Sequence, residues 1–188
     1  MTAKAGNETL RVCGHIGGIF MSTALIPGSF DPITLGHLDI ITRISRRFER
    51  VFVAVMTNDM HKYVPGTPEK HYMFTEEERT ELARLSCAHL PNVEVISATG
   101  KLIDLVDRLD CDVIVKGVRN AVDFVYEQKH ALYNRAHNPR AETLYLPADP
   151  AFDGISSTLA REKMMAGEDL SDILPELVIQ RINAHKRA

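Results

Sequence analysis

The residue types best suited to chemistry in this sequence lie near its start, around His37. A hydroxyl at Thr34 and a glycine at Gly36 precede the imidazole, and Gly28 stands upstream. Glycine lets backbone approach a ligand closely, and unpaired N–H groups at a helix start favour anions such as phosphate. The spacing therefore predicts a phosphate site with His37 beside it. It matches neither a Walker loop nor G-x-G-x-x-G.

The flanking residues indicate how His37 is positioned. The apolar run 24–26 is typical of a buried parallel strand, and Ile41, Ile44 and Phe48 fall on one face of a helix predicted from Gly36 to Glu49. The intervening loop would place His37 in the first helical turn. The alternative is an Asp-Pro turn followed by a solvated histidine.

The same alternation continues to the end of the chain. Further strands are predicted at 51–56, 93–96, 113–115 and 143–146. Helices are predicted from a capping box at Thr75 to about Ala88, over 102–106, over 121–137, from Ser156 to Gly167, and after Pro175. In the helix at 121–137 the buried candidates are Val122, Val125, Leu132 and Tyr133. This pattern predicts an α/β fold, a doubly wound parallel sheet of about five strands with flanking helices and a ligand site at the carboxyl ends of the strands.

Two further segments carry groups that suit phosphate. Lys116 and Arg119 flank Gly117 where a strand is predicted to end, although a solvated basic turn would look the same. Hydroxyls at 156–158 open a predicted helix after the last strand, where they can cap it or hold phosphate oxygens.

These three segments together resemble one enzyme family. Pro27–His37 resembles the T/H-x-G-H signature of the nucleotidyltransferase superfamily, and its Pro-Gly-Ser-Phe-Asp-Pro lead-in resembles that of the phosphopantetheine adenylyltransferases. The segment 116–127 is similar to that family's R-G-L-R-x-x-x-D-F-x-Y-E, with Lys116 where arginine is usual, and 152–161 is similar to I-S-S-S/T-x-x-K/R.

The resemblance implies a Rossmann-like fold and transfer of the adenylyl group of ATP to 4′-phosphopantetheine. The products would be dephospho-coenzyme A and pyrophosphate, in coenzyme A biosynthesis. It also implies Mg²⁺ with ATP, a homohexamer in the cytoplasm, and coenzyme A as a feedback ligand.

The resemblance also assigns residues. His37 and Lys70 would be catalytic, and the acceptor would contact Ser29, Lys70, Leu102 and Lys116. Lys70 has the family's spacing to Met73–Phe74, but the loop at 58–74 is longer than usual and Lys62 is the alternative. The implied ATP-binding residues are Ser29, Phe30, His37, Gly117, Val118, Arg119, Glu127, Phe152, Asp153, Gly154, Ile155, Ser156, Ser157 and Thr158.

The acceptor of such a reaction attacks through its own phosphate, whose second pKa is about 6. It is largely dianionic at neutral pH, so no general base is required. Catalysis is then expected from positioning and electrostatics on an in-line displacement, with His37 donating to the α-phosphate as charge builds.

Two alternatives stay open. A nicotinate-nucleotide adenylyltransferase or a cytidylyltransferase would share His37 and the 155–158 segment, but the segment at 116–127 favours phosphopantetheine. A non-catalytic nucleotide-binding or scaffold protein of the same fold is the other alternative. The presence of Thr34, Gly36 and His37 together argues against it.

Bulk properties narrow the class further. The 188 residues suit a single domain, 21–188, and we expect residues 1–20 to be an extension outside the fold because they match no family position. A net charge of −3 argues against a general nucleic-acid binder. Three separated cysteines without C-x-x-C suggest reduced thiols in the cytoplasm. No dedicated metal ligands are expected, and no apolar run reaches membrane-spanning length.

Overall fold

The computed structural model describes residues 23–57, 62, 64, 65, 67 and 71–185. Lys70, Cys13 and the predicted extension at 1–20 therefore lie outside the described residues. The elements are β1 (Thr23–Gly28), α1 (Leu35–Ser45), β2 (Arg50–Met56), α2 (Glu76–Cys87), β3 (Val93–Ala98), α3 (Leu102–Arg108), β4 (Val113–Val118), α4 (Ala121–His137) and β5 (Thr143–Pro147), followed by a 3-10 turn (Pro150–Phe152), α5 (Ser157–Ala166) and α6 (Glu176–His185).

The strands form one parallel five-stranded sheet in the order β3-β2-β1-β4-β5, which confirms the predicted α/β architecture. Both faces are covered. Along β2, Val51, Val53 and Val55 belong to the core on one face, whereas Phe52 and Ala54 belong to the core on the other. Such alternation inside a continuous apolar run is expected of a strand buried on both sides.

Capping boxes fix the starts of α1 and α2. Thr75 caps α2 and Glu78 reaches back to the Thr75 N–H, as predicted. The predicted end of α1 at Glu49 is wrong, because the helix stops at Ser45. The N–H groups at Arg47 and Phe48 both donate to the Ile44 carbonyl, so the backbone tightens into a turn, yet Phe48 still packs against the core.

The predicted buried side of α4 is also wrong in part. Val122, Val125 and Leu132 are 78%, 52% and 64% exposed, while His130 and Asn134 are buried. The apolar positions do share one side of the helix, but that side faces outward. The inward side lines the first cavity described below with polar groups such as Glu127, His130 and Asn134, so here the polar side of the helix is the buried one.

None of the helices in the described part of the chain combines the length and apolar character needed to cross a bilayer.

Candidate active site

The site opens where the strand order reverses, between β1 and β4. These strands pair only at Ala24–Val113 and Leu25–Ile114, and beyond those pairs they diverge toward their carboxyl ends. β4 continues to Val118, beyond the end predicted at Lys116–Gly117, so both residues lie within the strand and pair with β5. A crevice beyond diverging parallel strands is the usual ligand site of an open α/β sheet.

His37 is held at this crevice by the start of α1. Its ring Nδ1 accepts from the Thr34 backbone N–H at 3.1 Å and lies 3.0 Å from the Thr34 hydroxyl oxygen. The backbone N–H of His37 donates to that same hydroxyl oxygen. Because Nδ1 accepts a main-chain N–H, the neutral ring carries its proton on Nε2. His37 therefore presents a hydrogen-bond donor whose tautomer is fixed by backbone.

Phe30 supports the ring from the loop before α1. It is 2% exposed, has a φ of 46°, and lies edge-to-face with His37 at 5.1 Å between centroids. A Cβ on Gly28 would sit 2.8 Å from the Phe30 ring. The glycine thus makes room for the aromatic ring under His37, which is a different reason from the ligand approach expected from sequence.

Two adjoining cavities meet at His37. The first, about 260 Å³, lies in the crevice and against α3 and α4, and it includes Lys116 and Leu102. The second, about 610 Å³, lies between α1, β4 and the start of α5, and it includes Arg119. Residues that line both are Ser29, His37, Ile40, Gly117, Tyr126 and Glu127.

Most of the predicted site residues line one of these cavities. Phe30 lines the first, in addition to Lys116 and Leu102. Phe152, Ile155, Ser156, Ser157 and Thr158 line the second with Arg119. Val118, Asp153 and Gly154 are among the described residues that line neither, and so is Lys62, which is exposed.

Lys116 is paired with an acid inside the first cavity. Its Nζ lies 3.2 Å from Glu127 Oε2, and both side chains are about one-fifth exposed, at 21% and 20%. Burial alone would raise the pKa of Glu127, but the Lys116 ammonium and then the neighbouring His130 outweigh it and lower that pKa to about 2. Glu127 is therefore ionised at neutral pH.

Arg119 is paired in the same manner beside the second cavity. Its Nε and Nη2 donate to the two oxygens of Asp123 at 2.7 and 3.1 Å, and its Nη1 donates to the Ile155 carbonyl at 3.3 Å. The hydrogen bonds to Asp123 raise the pKa of the guanidinium further. Two of the predicted phosphate-binding cations, Lys116 and Arg119, thus have carboxylate partners here.

The hydroxyls at the start of α5 have structural partners as well. Ser156 caps the helix by accepting from the Leu159 N–H, Ser157 donates to the Pro32 carbonyl, and Thr158 accepts from Arg161. Helix capping, one of the two roles predicted for these hydroxyls, therefore explains Ser156. Within the described residues, the backbone N–H groups at Ser157 and Thr158 have no hydrogen-bond partner and belong to residues lining the second cavity.

Sequence reasoning missed the groups that hold the loop after β1. Asp31 is 2% exposed; its carboxylate accepts from the N–H groups of Met73 and Phe74 and lies 3.4 Å from Arg161 Nη1. Arg79, also 2% exposed, donates to the Ser29 carbonyl at 2.6 Å. The Asp31–Pro32 turn and Arg161 at the end of the third segment were signals for the contact between Asp31 and Arg161. Nothing in the sequence indicated the role of Arg79.

Comparison with known proteins adds to this geometry. A cytidylyltransferase-like family profile matches residues 25–163. The phosphopantetheine adenylyltransferase of Symbiobacterium thermophilum is 41% identical over 162 residues, covering 86% of this chain and 94% of that protein. The chain belongs to the phosphopantetheine adenylyltransferase family. A second family member, from Limosilactobacillus fermentum, is 40% identical over 164 residues, covering 87% of this chain and 90% of its own.

A structural likeness supports the fold of this family member. The crystal structure of a nicotinate-nucleotide adenylyltransferase candidate from Vibrio parahaemolyticus superposes with a TM-score of 0.60 at 17% identity. It covers 85% of this chain and 90% of its own. At that identity the likeness concerns the fold alone, whereas the matches at about 40% identity carry the family.

Proposed function

We propose that this protein transfers the adenylyl group of ATP to 4′-phosphopantetheine, releasing pyrophosphate and forming dephospho-coenzyme A. The observation that carries the proposal is the position of His37 at the junction of two cavities, each with its own cation. The cavity with Lys116 and Leu102 would take the acceptor, and the cavity with Arg119 and the start of α5 would take the nucleotide.

The arrangement suits a direct displacement without a covalent intermediate. The acceptor phosphate, held by Lys116 and Ser29, would attack the α-phosphate of ATP in line, and pyrophosphate would leave toward Arg119 and the N–H groups of α5. His37, with its proton on Nε2, would donate to the α-phosphate as negative charge develops. Because the attacking phosphate is already largely dianionic at neutral pH, no side chain has to remove a proton.

Mg²⁺ would enter with ATP in this proposal and neutralise charge on the phosphates. The carboxylates lining the second cavity do not form a separate metal centre: Asp31 is bound to main-chain N–H groups, Asp123 to Arg119 and Glu127 to Lys116. Among the described residues, no three His, Cys, Asp or Glu side chains are grouped to hold a metal ion. The protein's donors thus fit a metal carried by the nucleotide, with Arg119 and the α5 N–H groups on the phosphates.

Pyrophosphate release with ATP and a panel of acceptors tests this function. We expect release with phosphopantetheine, and none with nicotinate mononucleotide or with the phosphorylated acceptors of cytidylyltransferases. Release with nicotinate mononucleotide but not phosphopantetheine would favour the second candidate, a nicotinate-nucleotide adenylyltransferase, which would share His37 and the 155–158 segment. Nucleotide binding without release for any acceptor would favour the non-catalytic alternative.

The third phosphate-binding cation is proposed to be Lys70. Its spacing to Met73–Phe74 supports it, and the N–H groups of those two residues are bound to Asp31 next to the site. Changing Lys70 and Lys62 separately to Ala and measuring the acceptor KM distinguishes them. An effect confined to the Lys62 variant would contradict the assignment to Lys70.

We further propose a homohexamer, with the outward side of α4 in a subunit contact. Val122, Val125 and Leu132 lie on that side with more than half of each side chain exposed, which is costly for apolar groups that stay in water. Light scattering of the wild type and of Val125→Asp measures this. We expect a hexamer for the wild type and smaller species for the variant, and a monomeric wild type would contradict the proposal.

Feedback and location are proposed on the family resemblance. Coenzyme A contains the phosphopantetheine arm, so it would compete with the acceptor for the cavity lined by Leu102 and Lys116. A raised acceptor KM at unchanged kcat in the presence of coenzyme A is the expected result. A cytoplasmic location is supported by two buried, unpaired thiols, Cys87 and Cys111, and fractionation of cells tests it.

A further inference from the structure

His130 occupies a position in the first cavity that the reaction scheme does not use. It lies one turn after Glu127 on α4 and is 6% exposed. Its Nδ1 is 3.8 Å from Glu127 Oε2, its Nε2 is 3.2 Å from the Thr67 hydroxyl oxygen, and its ring packs edge-on against Tyr126. A histidine that lines a substrate cavity needs an explanation beyond packing.

The contacts determine where the proton of His130 lies. A carboxylate only accepts hydrogen bonds, so Nδ1 carries a proton when it faces Glu127. Nε2 of the neutral ring then accepts from the Thr67 hydroxyl. Both ring nitrogens have protein partners, so His130 is not suited to act on the substrate itself. Its effect has to pass through Glu127 or Thr67.

Glu127 is the group for which a second partner matters. Its Oε2 is buried and makes no hydrogen bond of proper geometry within the described part of the chain, although Lys116 Nζ lies 3.2 Å away. In the proposed function, Lys116 binds the acceptor phosphate. A phosphate dianion competes with Glu127 for that ammonium, and a buried carboxylate that loses its cation is strongly destabilised.

We propose that His130 is a positioning residue that holds the Glu127 carboxylate while the Lys116 ammonium turns from Glu127 to the acceptor phosphate. The N–H at Nδ1 gives Glu127 Oε2, the oxygen that Lys116 contacts, a second partner from within α4. The carboxylate then neither follows the lysine nor moves toward the phosphate, which it would repel. This inference rests on the proposed function, because it takes Lys116 as the acceptor's cation.

Two variants of His130 separate its two contacts. In His130→Asn the side-chain amide nitrogen can replace Nδ1 near Glu127, whereas in His130→Gln the longer side chain can replace Nε2 near Thr67. We expect His130→Gln to raise the acceptor KM about 3- to 10-fold, with the dissociation constant of ATP unchanged. This is the usual net effect of losing an ordinary hydrogen bond, and it is smaller than for a close charged one because Nδ1 lies 3.8 Å from Glu127 Oε2. His130→Asn should stay within about twofold of the wild type on that scale.

Two further measurements test whether the effect passes through Glu127. In a Glu127→Gln background the difference between His130→Gln and His130→Asn should disappear, since no carboxylate is left to hold. Thr67→Val, which removes only the hydroxyl that contacts Nε2, should leave the acceptor KM unchanged. His89→Gln is the matched control, because His89 is exposed in the connection between α2 and β3, at the opposite edge of the sheet.

The outcomes separate the proposal from a general packing role. Equal effects of Asn and Gln, a difference that persists in the Glu127→Gln background, or an acceptor KM raised by Thr67→Val would each overturn it. So would loss of ATP binding in His130→Gln alone. If the wild type itself gives no pyrophosphate with phosphopantetheine, the proposed function fails.

The role of His130 can then be tested separately by adding inorganic phosphate, which competes with Glu127 for Lys116, and by recording the ¹⁵N NMR signals of the His130 ring. Absence of any phosphate-induced shift of these signals would overturn the proposal.

Discussion

The two sides of the site hold their polar groups in different ways. At the start of α1, His37 is bound to main chain and to the hydroxyl of Thr34, and none of these partners has to leave for the ring to donate. Near the end of β4, Lys116 on the strand and Arg119 just after it are bound to Glu127 and Asp123, respectively. Each cation has to share or exchange its partner to bind phosphate. Preorganisation by backbone favours the transition state, whereas exchange between charged partners governs substrate binding.

The largest effect is expected at the preorganised side. His37→Ala should lower kcat by about 10²- to 10³-fold, the usual effect of losing one fixed donor to developing charge. The affinity for ATP should change little, because the donor acts mainly after binding. Single-turnover kinetics and calorimetry measure the two quantities. Equal losses of rate and ATP affinity would show that His37 is a ground-state ligand and would remove the contrast.

On the exchanging side, Lys116→Ala should raise the acceptor KM and also lower kcat, since a misoriented phosphate reacts slowly. Losing a charged hydrogen bond corresponds to about 10- to 100-fold in affinity. Lys116→Arg should stay active, because its planar fork also binds phosphate. Acceptor kinetics beside ATP calorimetry decide the matter, and loss of ATP binding with an unchanged acceptor KM would reassign Lys116 to the triphosphate.

The contrast between the two sides bears on what could be predicted from sequence. The parallel α/β sheet, and with it a candidate site at the carboxyl ends of the strands, followed from alternating apolar runs, and His37 followed from a short local motif. Local hydrogen bonds such as those from Thr34 to His37 span three residues, so spacing can predict them.

The Lys116–Glu127 ion pair and the buried Arg79 could not be predicted in this way. The partners Lys116 and Glu127 are eleven positions apart on different elements, and Arg79 contacts the Ser29 carbonyl across 50 positions. Such contacts depend on how strands diverge and helices turn. The prediction that the apolar side of α4 is buried was wrong for a related reason. Periodicity identifies a side of a helix but not what that side faces.

The buried pair predicts a pH effect on stability. The folded-state pKa of Glu127 is depressed to about 2 from 4.5, so its contribution is fully present above pH 4.5 and is lost as the pH falls toward 2. We expect about 2 kcal/mol of unfolding free energy to disappear across that range. In Glu127→Gln this part of the slope should be absent. Urea titrations between pH 2.5 and 6 measure it, and identical slopes for the two proteins would contradict the pairing.

A smaller effect is expected from loosening the preorganised side without removing the imidazole. Thr34→Val deletes the hydroxyl that caps α1 but keeps the backbone N–H that binds Nδ1. We expect a loss of about 1 kcal/mol of stability, as for other helix caps, and a fall in kcat of roughly tenfold or less. Thr34→Ser is the control and should keep both. A Thr34→Val enzyme with full kcat would show that main chain alone orients His37.

The smallest effect is expected where exchange is easiest, at the more exposed pair of Arg119 and Asp123, whose side chains are 36% and 25% exposed. Asp123→Asn leaves the guanidinium without its carboxylate, so the competition with the ATP phosphates weakens. We expect ATP to bind a few-fold more tightly at low salt, because exposed ion pairs contribute about 1 kcal/mol or less. The gain should shrink as salt rises, since exposed charges are screened. Calorimetry at two salt concentrations measures this, with Asp172→Asn as the control because Asp172 is an exposed acid that lines neither cavity. Weaker ATP binding in Asp123→Asn would mean that Asp123 orients Arg119 toward the phosphates. Arg119 would then be a preorganised group, as His37 is.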